Sequence, residues 1–161
     1  MKYLIISDTH GCYTELCCIL EQEKEIKDVI FLGDGLNDIS KAKLDYPDRN
    51  FICVKGNCDY GESLPSMNII NIDKYKVLIT HGDGFDVKSS KLRLRRAAIG
   101  LGVDVALYGH THRQYYEYLD GLYIFCPGSV KPEAASAYNP SYGIMDFSEG
   151  YPNIYNCEIN L

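Results

Sequence analysis

The chain has 161 residues, with 16 lysines and arginines against 22 aspartates and glutamates, and a formal net charge of −6. That acidic balance disfavours a nucleic-acid partner held by its phosphates, and 46% hydrophobic with 24% charged residues describes a globular, soluble chain. Seven cysteines, odd in number and without a Cys-x-x-Cys pair, argue for reduced thiols and a cytoplasmic location. The opening Met1-Lys2-Tyr3-Leu4-Ile5-Ile6-Ser7-Asp8 reaches an acid after four apolar residues, so it reads as neither a signal peptide nor a membrane span. No internal repeat or linker breaks the chain, and residues 1–161 are read as one domain.

Tyr3-Leu4-Ile5-Ile6 is a continuous apolar run, as expected of a strand covered on both faces. It ends in Ser7-Asp8-Thr9-His10-Gly11. Residues 13–24 follow with helical periodicity, Leu16, Ile19 and Leu20 on one side and Glu15, Gln22 and Glu23 on the other. Strand, polar turn and helix open an α/β layer, in which ligands bind beyond the carboxyl ends of the strands. Val29-Ile30-Phe31-Leu32 is the second buried run and ends in Gly33-Asp34-Gly35, with a short helix expected over residues 37–44. Phe51-Ile52-Cys53-Val54 is the third and ends in Gly56-Asn57-Cys58-Asp59. Val77-Leu78-Ile79-Thr80 is the fourth, followed by His81-Gly82-Asp83-Gly84.

A helix is expected over residues 88–101, capped by Ser89 or Ser90. Lys88, Lys91, Arg93, Arg95 and Arg96 make its surroundings basic, either as a solvated face or as a rim that attracts anions. The fifth run, residues 103–108, delivers Gly109-His110-Thr111-His112. In an extended chain, residues two apart project about 7 Å apart on one side, which suits two histidines serving two neighbouring ions. Beyond it the pattern turns antiparallel. Residues 114–119 and 122–126 flank the hairpin turn Asp120-Gly121, residues 142–147 and 154–159 read as two further strands, and 131–141 as a loop. Nine of the 14 tyrosines lie from Tyr108 onward, half-buried strand residues of which some could face a second subunit of a homo-oligomer.

All four histidines, His10, His81, His110 and His112, thus fall just past apolar runs, where five strands end in oxygen or imidazole groups. Convergence on one metal site, or a pair, accounts for them together. In order, Asp8-x-His10, Gly33-Asp34, Gly56-Asn57-x-Asp59, His81-Gly82 and Gly109-His110-x-His112 resemble the motif blocks of the calcineurin-like metallophosphoesterases. Pro127-Gly128-Ser129, Pro132 and Pro140-Ser141-Tyr142-Gly143 resemble the tail of its small bacterial and archaeal members, the YfcE-like phosphodiesterases.

The resemblance implies an α/β fold, a four-layer α/β/β/α sandwich with two mixed sheets. It implies that Asp8, His10 and His112 hold one divalent metal ion, that Asn57, His81 and His110 hold the other, and that Asp34 bridges them. Oxygen and imidazole ligands suit Mn²⁺ first, with Fe²⁺, Zn²⁺ and Ni²⁺ as alternatives. The implied reaction is in-line attack of a metal-bridging hydroxide on a small phosphodiester. Cys58 stands where many relatives carry a histidine that protonates the leaving group or steadies the phosphate. A thiol with an ordinary pKa of about 8.5 is a weak acid for an alkoxide, so good leaving groups are expected to be favoured. Asp59 and Asp83 are candidates for supporting the ligands from behind. The alternatives are a phosphomonoesterase on small phosphates and a non-catalytic, protein-binding scaffold like the retromer subunit of the same fold.

Overall fold

The computed structural model describes residues 1–132 and 139–159. In chain order the elements are β1 (Lys2–Ile6), α1 (Tyr13–Gln22), β2 (Asp28–Phe31), α2 (Leu36–Asp45), β3 (Asn50–Cys53), β4 (Met67–Ile72), β5 (Tyr75–Thr80), a 3₁₀ turn (Asp83–Phe85), α3 (Leu92–Leu101), β6 (Val105–Leu107), β7 (Gln114–Leu119), β8 (Leu122–Pro127), β9 (Ser141–Asp146) and β10 (Asn153–Glu158). The strands form two five-stranded sheets, ordered β10-β9-β1-β2-β3 and β4-β5-β6-β8-β7. Both are mixed. β1, β2 and β3 run parallel, as do β5, β6 and β8, while β9, β10, β4 and β7 pair antiparallel.

The apolar runs at the sheet centres reflect covering on both faces. In β1, Leu4 and Ile6 pack with Leu16, Ile19 and Leu20 of α1 and Ile39 and Ala42 of α2. Tyr3 and Ile5, on the opposite pleat, meet Val77, Ile79, Val105 and Phe125 of the second sheet. On the far side Leu78, Ala106 and Ile124 pack under Leu94 and Ala98 of α3. Helices, sheet, sheet and helix are the four layers that the resemblance implied.

Several boundaries differ from the sequence reading. β3 is the edge of its sheet, so Phe51, Ile52 and Cys53 are only half-buried and Val54 alone of that run is fully covered. β4 was not anticipated. It is a half-exposed edge strand whose Asn68 and Asn71 interrupt the apolar pattern, and it pairs with β5 across a turn at Asp73. α3 begins four residues later than expected, because residues 86–90 turn back on Asp86, whose carbonyl accepts the Ser89 and Ser90 N–H groups. Ser90 still serves its start, accepting the Leu92 N–H at 3.1 Å. Of the loop expected over 131–141, residues 133–138 lie outside the described residues.

Candidate metal centre

The parallel strands of both sheets end at one edge of the sandwich, and the turns beyond them are laced together by backbone hydrogen bonds. Asp8 N–H donates to Gly33 O at 3.0 Å, His10 N–H to Asp34 O at 3.1 Å and Gly109 N–H to His81 O at 2.9 Å. Among the described residues, eight non-glycines have positive φ, and five of them are Asp8, His10, Asp34, His110 and His112. A left-handed backbone is unfavourable for a residue with a side chain and persists where its surroundings over-determine it. His110 and His112 are therefore not successive positions of an extended chain. A tight turn, closed by Thr111 N–H to Gly109 O at 2.8 Å, aims their rings apart.

Two groups of side chains result. In the first, Asp8 Oδ1 lies 3.1 Å from His112 Nε2 and 3.5 Å from His10 Nε2, and the two imidazole nitrogens are 3.4 Å apart. In the second, His81 Nε2 lies 3.3 Å from Asp34 Oδ2, 3.2 Å from His110 Nδ1 and 3.0 Å from Asn57 Oδ1. Asp34 Oδ2 is also 3.6 Å from His10 Nε2, so one carboxylate oxygen faces both groups. Cys58 can join His10 and Asp34 as a third combination. Two atoms bound to one ion at about 2.1 Å, at the angles of a tetrahedron or octahedron, lie roughly 3.0–3.4 Å apart. The observed separations have that size. The donor set of carboxylate, imidazole and amide oxygen fits divalent ions of the manganese-to-zinc series.

Neighbouring groups orient these ligands. Asp8 Oδ2 accepts from Ser7 Oγ at 2.5 Å and from the His110 N–H at 3.0 Å, leaving Oδ1 for the imidazoles. His81 is fully buried, with Nδ1 2.7 Å from Leu32 O, which fixes the proton there and turns the Nε2 lone pair toward Asp34 and Asn57. Asp34 Oδ1 accepts from the Cys58 N–H at 2.8 Å. Two glycines admit these contacts: a Cβ on Gly109 would lie 2.0 Å from Ser7 Oγ, and one on Gly56 would lie 2.1 Å from Asp34 Oδ1.

Asp59 lies outside both groups. Its carboxylate accepts the N–H groups of Asp34, Gly35, Leu36 and Gly56 at 2.7–2.9 Å, at the start of α2, where an anion is favoured. Asp83 is exposed on the 3₁₀ turn and, among the described residues, hydrogen-bonds to no imidazole; Leu32 O takes that part for His81. Sequence reasoning did not single out Ser7, Thr9 or Asp38. Asp38 Oδ2 accepts from Thr9 Oγ1 at 2.5 Å and from the Gly11 N–H at 2.9 Å, fastening the His10 turn to α2. An acid in the first turn of a helix carries no signal that separates this duty from ordinary capping.

Without metal, the charges are arranged to hold a cation. Burial pushes the Asp8 carboxyl up, but His10, His112, His81 and Ser7 outweigh it and hold it well below the usual range. Asp34 also lies low, since His81 and the Cys58 N–H overcome its burial. Burial pushes His81 down, yet Asp34 and Asp8 raise it overall. His110 is lowered by burial, then by Lys88 and His81. The exposed Cys58 thiol is pushed up by desolvation and by Asp34, Asp59 and Asp8.

The family model of the calcineurin-like phosphoesterase superfamily domain matches residues 1–150. The chain is 33% identical over 132 residues to the probable metallophosphoesterase YsnB of Bacillus subtilis, covering 81% of this chain and 76% of that one. It is 28% identical over 162 residues to phosphodiesterase MJ0936 of Methanocaldococcus jannaschii, covering 91% and 93%. Among solved structures, a conserved uncharacterized protein of Streptococcus pneumoniae, predicted to be a phosphoesterase, superposes with a TM-score of 0.79 at 21% identity, over 99% of this chain and 92% of that one. Vps29 of Entamoeba histolytica, complexed with Zn²⁺, superposes with a TM-score of 0.73 at 19% identity, over 99% and 100%.

Proposed function

Because the chain belongs to the calcineurin-like phosphoesterase superfamily, we propose that it is a metal-dependent phosphodiesterase acting on small phosphodiesters. The observation that carries this reading is Asp34 Oδ2, which lies 3.3 Å from His81 Nε2 and 3.6 Å from His10 Nε2 and so belongs to both side-chain groups. Asp8, His10 and His112 would hold one divalent ion, Asn57, His81 and His110 the other, and Asp34 would serve both; Mn²⁺ is the first choice. Two such ions, when bound, supply an activated water near neutral pH and screen the phosphoryl oxygens.

The protein's own part is positioning. Ser7 and the His110 N–H hold the Asp8 carboxylate in one orientation, and the Cys58 N–H and Asp59 hold Asp34 and its turn. Preorganised ligands need no rearrangement as charge develops on the phosphoryl group. Cys58 is the exposed side chain beside Asp34, and a thiol, with an ordinary pKa of about 8.5, is a poor proton donor to an alkoxide. Aryl esters and other good leaving groups are therefore the preferred substrates, and equal rates on alkyl and aryl diesters would argue against this.

The test is to strip the protein with chelator, restore Mn²⁺, and compare a bis-aryl phosphodiester with the matching monoester, with Asp34→Asn alongside. Manganese-dependent diester hydrolysis that falls at least about a thousandfold in the variant supports the proposal. Preference for the monoester changes the substrate class and keeps the site. A second reading, a protein-binding scaffold, is favoured by the fold shared with Vps29. It predicts that metal removal lowers only the melting temperature, with no turnover of either ester. Among the described residues no helix is long and apolar enough to cross a membrane.

A further inference from the structure

The basic cluster around the start of α3 is divided in the folded chain. Arg95 pairs with Glu117 of β7, and Arg93 and Arg96 are exposed. Lys88 and Lys91 instead line a cavity of about 480 Å³, together with Tyr108, Thr111 and Arg113. That volume suits a nucleotide-sized ligand. Thr111 stands between His110 and His112, so the cavity and the metal centre share one loop as a wall. Lys91 is held in place, its Nζ donating to Val87 O at 2.8 Å and lying 5.7 and 5.3 Å from the ring centroids of Tyr108 and Tyr115.

Tyr108 supplies the second, independent observation. It is fully buried at the end of β6, and its hydroxyl is the buried side-chain polar atom that lacks a hydrogen-bond partner among the described residues. A phenylalanine would pack as well without leaving a hydroxyl unpaired, so the hydroxyl calls for a ligand. The nearby Glu117 carboxylate is already engaged by Arg95 and by the Tyr115 hydroxyl at 3.3 Å. Lys88 and Lys91, with their ammonium groups, and Tyr108, with its unpaired hydroxyl, line one cavity in a chain whose net charge is otherwise −6, a local excess of donors that favours an anion with several acceptor oxygens.

We propose that this cavity receives a second phosphate group of the substrate, carried on the same molecule as the scissile diester. The substrate class is thus a phosphodiester bearing a further phosphate, such as a phosphorylated nucleotide diester. This rests on the phosphodiesterase reading above, and the shared His110–His112 loop is what joins the two sites.

Two measurements on the full chain separate the cavity from the catalysis. The first is calorimetric titration of inorganic phosphate into chelator-stripped protein, where the metal centre contributes no ion. Saturable binding that weakens about tenfold or more in Lys88→Gln and in Tyr108→Phe is expected. Tyr108→Phe should melt no lower than wild type, because it removes an unpaired hydroxyl. No binding, or binding indifferent to both substitutions, overturns the proposal.

The second compares p-nitrophenyl thymidine 5′-phosphate with its 3′-phosphorylated counterpart on manganese-restored protein. The 3′-phosphate should lower KM about tenfold or more, and the KM ratio should fall toward one in both variants. Equal KM for the two esters overturns the substrate assignment and points to a free anion. Hydrolysis of neither ester, with phosphate binding intact, refutes the phosphodiesterase reading and keeps the anion cavity.

Discussion

Removing the Asp59 carboxylate should destabilise the fold and loosen the metal centre together. The side chain is half-buried and accepts four backbone N–H groups, three of them consecutive at the start of α2 and the fourth from Gly56. It thereby ties the turn after β2 to the turn after β3. A hydrogen bond to a charged group contributes about 1.5–3 kcal/mol, and four such bonds on a partly hydrated carboxylate do not add in full. Asp59→Ala should therefore cost about 3–5 kcal/mol, and Asp59→Asn about 2–3 kcal/mol, since the amide keeps one acceptor and turns an NH₂ against the remaining donors. In a chain of this size 4 kcal/mol corresponds to about 8–16 °C in Tm. Urea unfolding of the metal-free proteins measures the stability, and Mn²⁺ titration of the same samples measures the site. Asp34 is reached through its own N–H, so metal affinity should drop about 10–100-fold in Asp59→Asn. A loss below about 1 kcal/mol in Asp59→Ala, with unchanged Mn²⁺ affinity, would refute the reasoning, because four unpaired donors cannot be that inexpensive.

Gly109→Ala places a methyl 2.0 Å from Ser7 Oγ and 3.0 Å from Asp8 Oδ2, so Ser7 must abandon Asp8. A loss of about 2 kcal/mol or more in urea melts and weakened metal binding are expected, whereas Ala at Gly100, an open site within α3, should stabilise by up to about 1 kcal/mol and leave metal binding unchanged. Acid sensitivity follows from Asp8, whose folded pKa is held below its unfolded value. Such a carboxylate stabilises the fold above the unfolded value and loses that contribution as the pH falls through the folded one. Metal-free Asp8→Asn should accordingly be about 2–4 kcal/mol less stable than wild type at pH 7, with the gap closing below about pH 4. A gap independent of pH would mean that the carboxylate charge is irrelevant.

Much of the architecture was legible because burial on both faces leaves continuous apolar runs. Leu4 to Ile6, Val29 to Leu32 and Val77 to Ile79 are such runs, and each ends at a polar turn. The edge strands were less readable. β4 carries Asn68 and Asn71 because half its surface meets water, and β3 looks buried in sequence although only Val54 is fully covered. A pattern of side chains reports how far each is covered, and an edge strand is covered too little to insist on one.

Residue types and their order named the candidate ligands, since few polar residues recur at the ends of apolar runs by chance. What the tertiary structure alone decided is how they meet. The left-handed turn that parts His110 from His112, the Leu32 carbonyl that selects the reactive nitrogen of His81, and the three donors that Asp59 gathers at the start of α2 join residues 23 to 49 positions apart, or rest on backbone angles no residue type announces. The unpaired hydroxyl of Tyr108 is of the same kind. In sequence it is one tyrosine among 14, and only packing that removes water from it turns it into a request for a ligand.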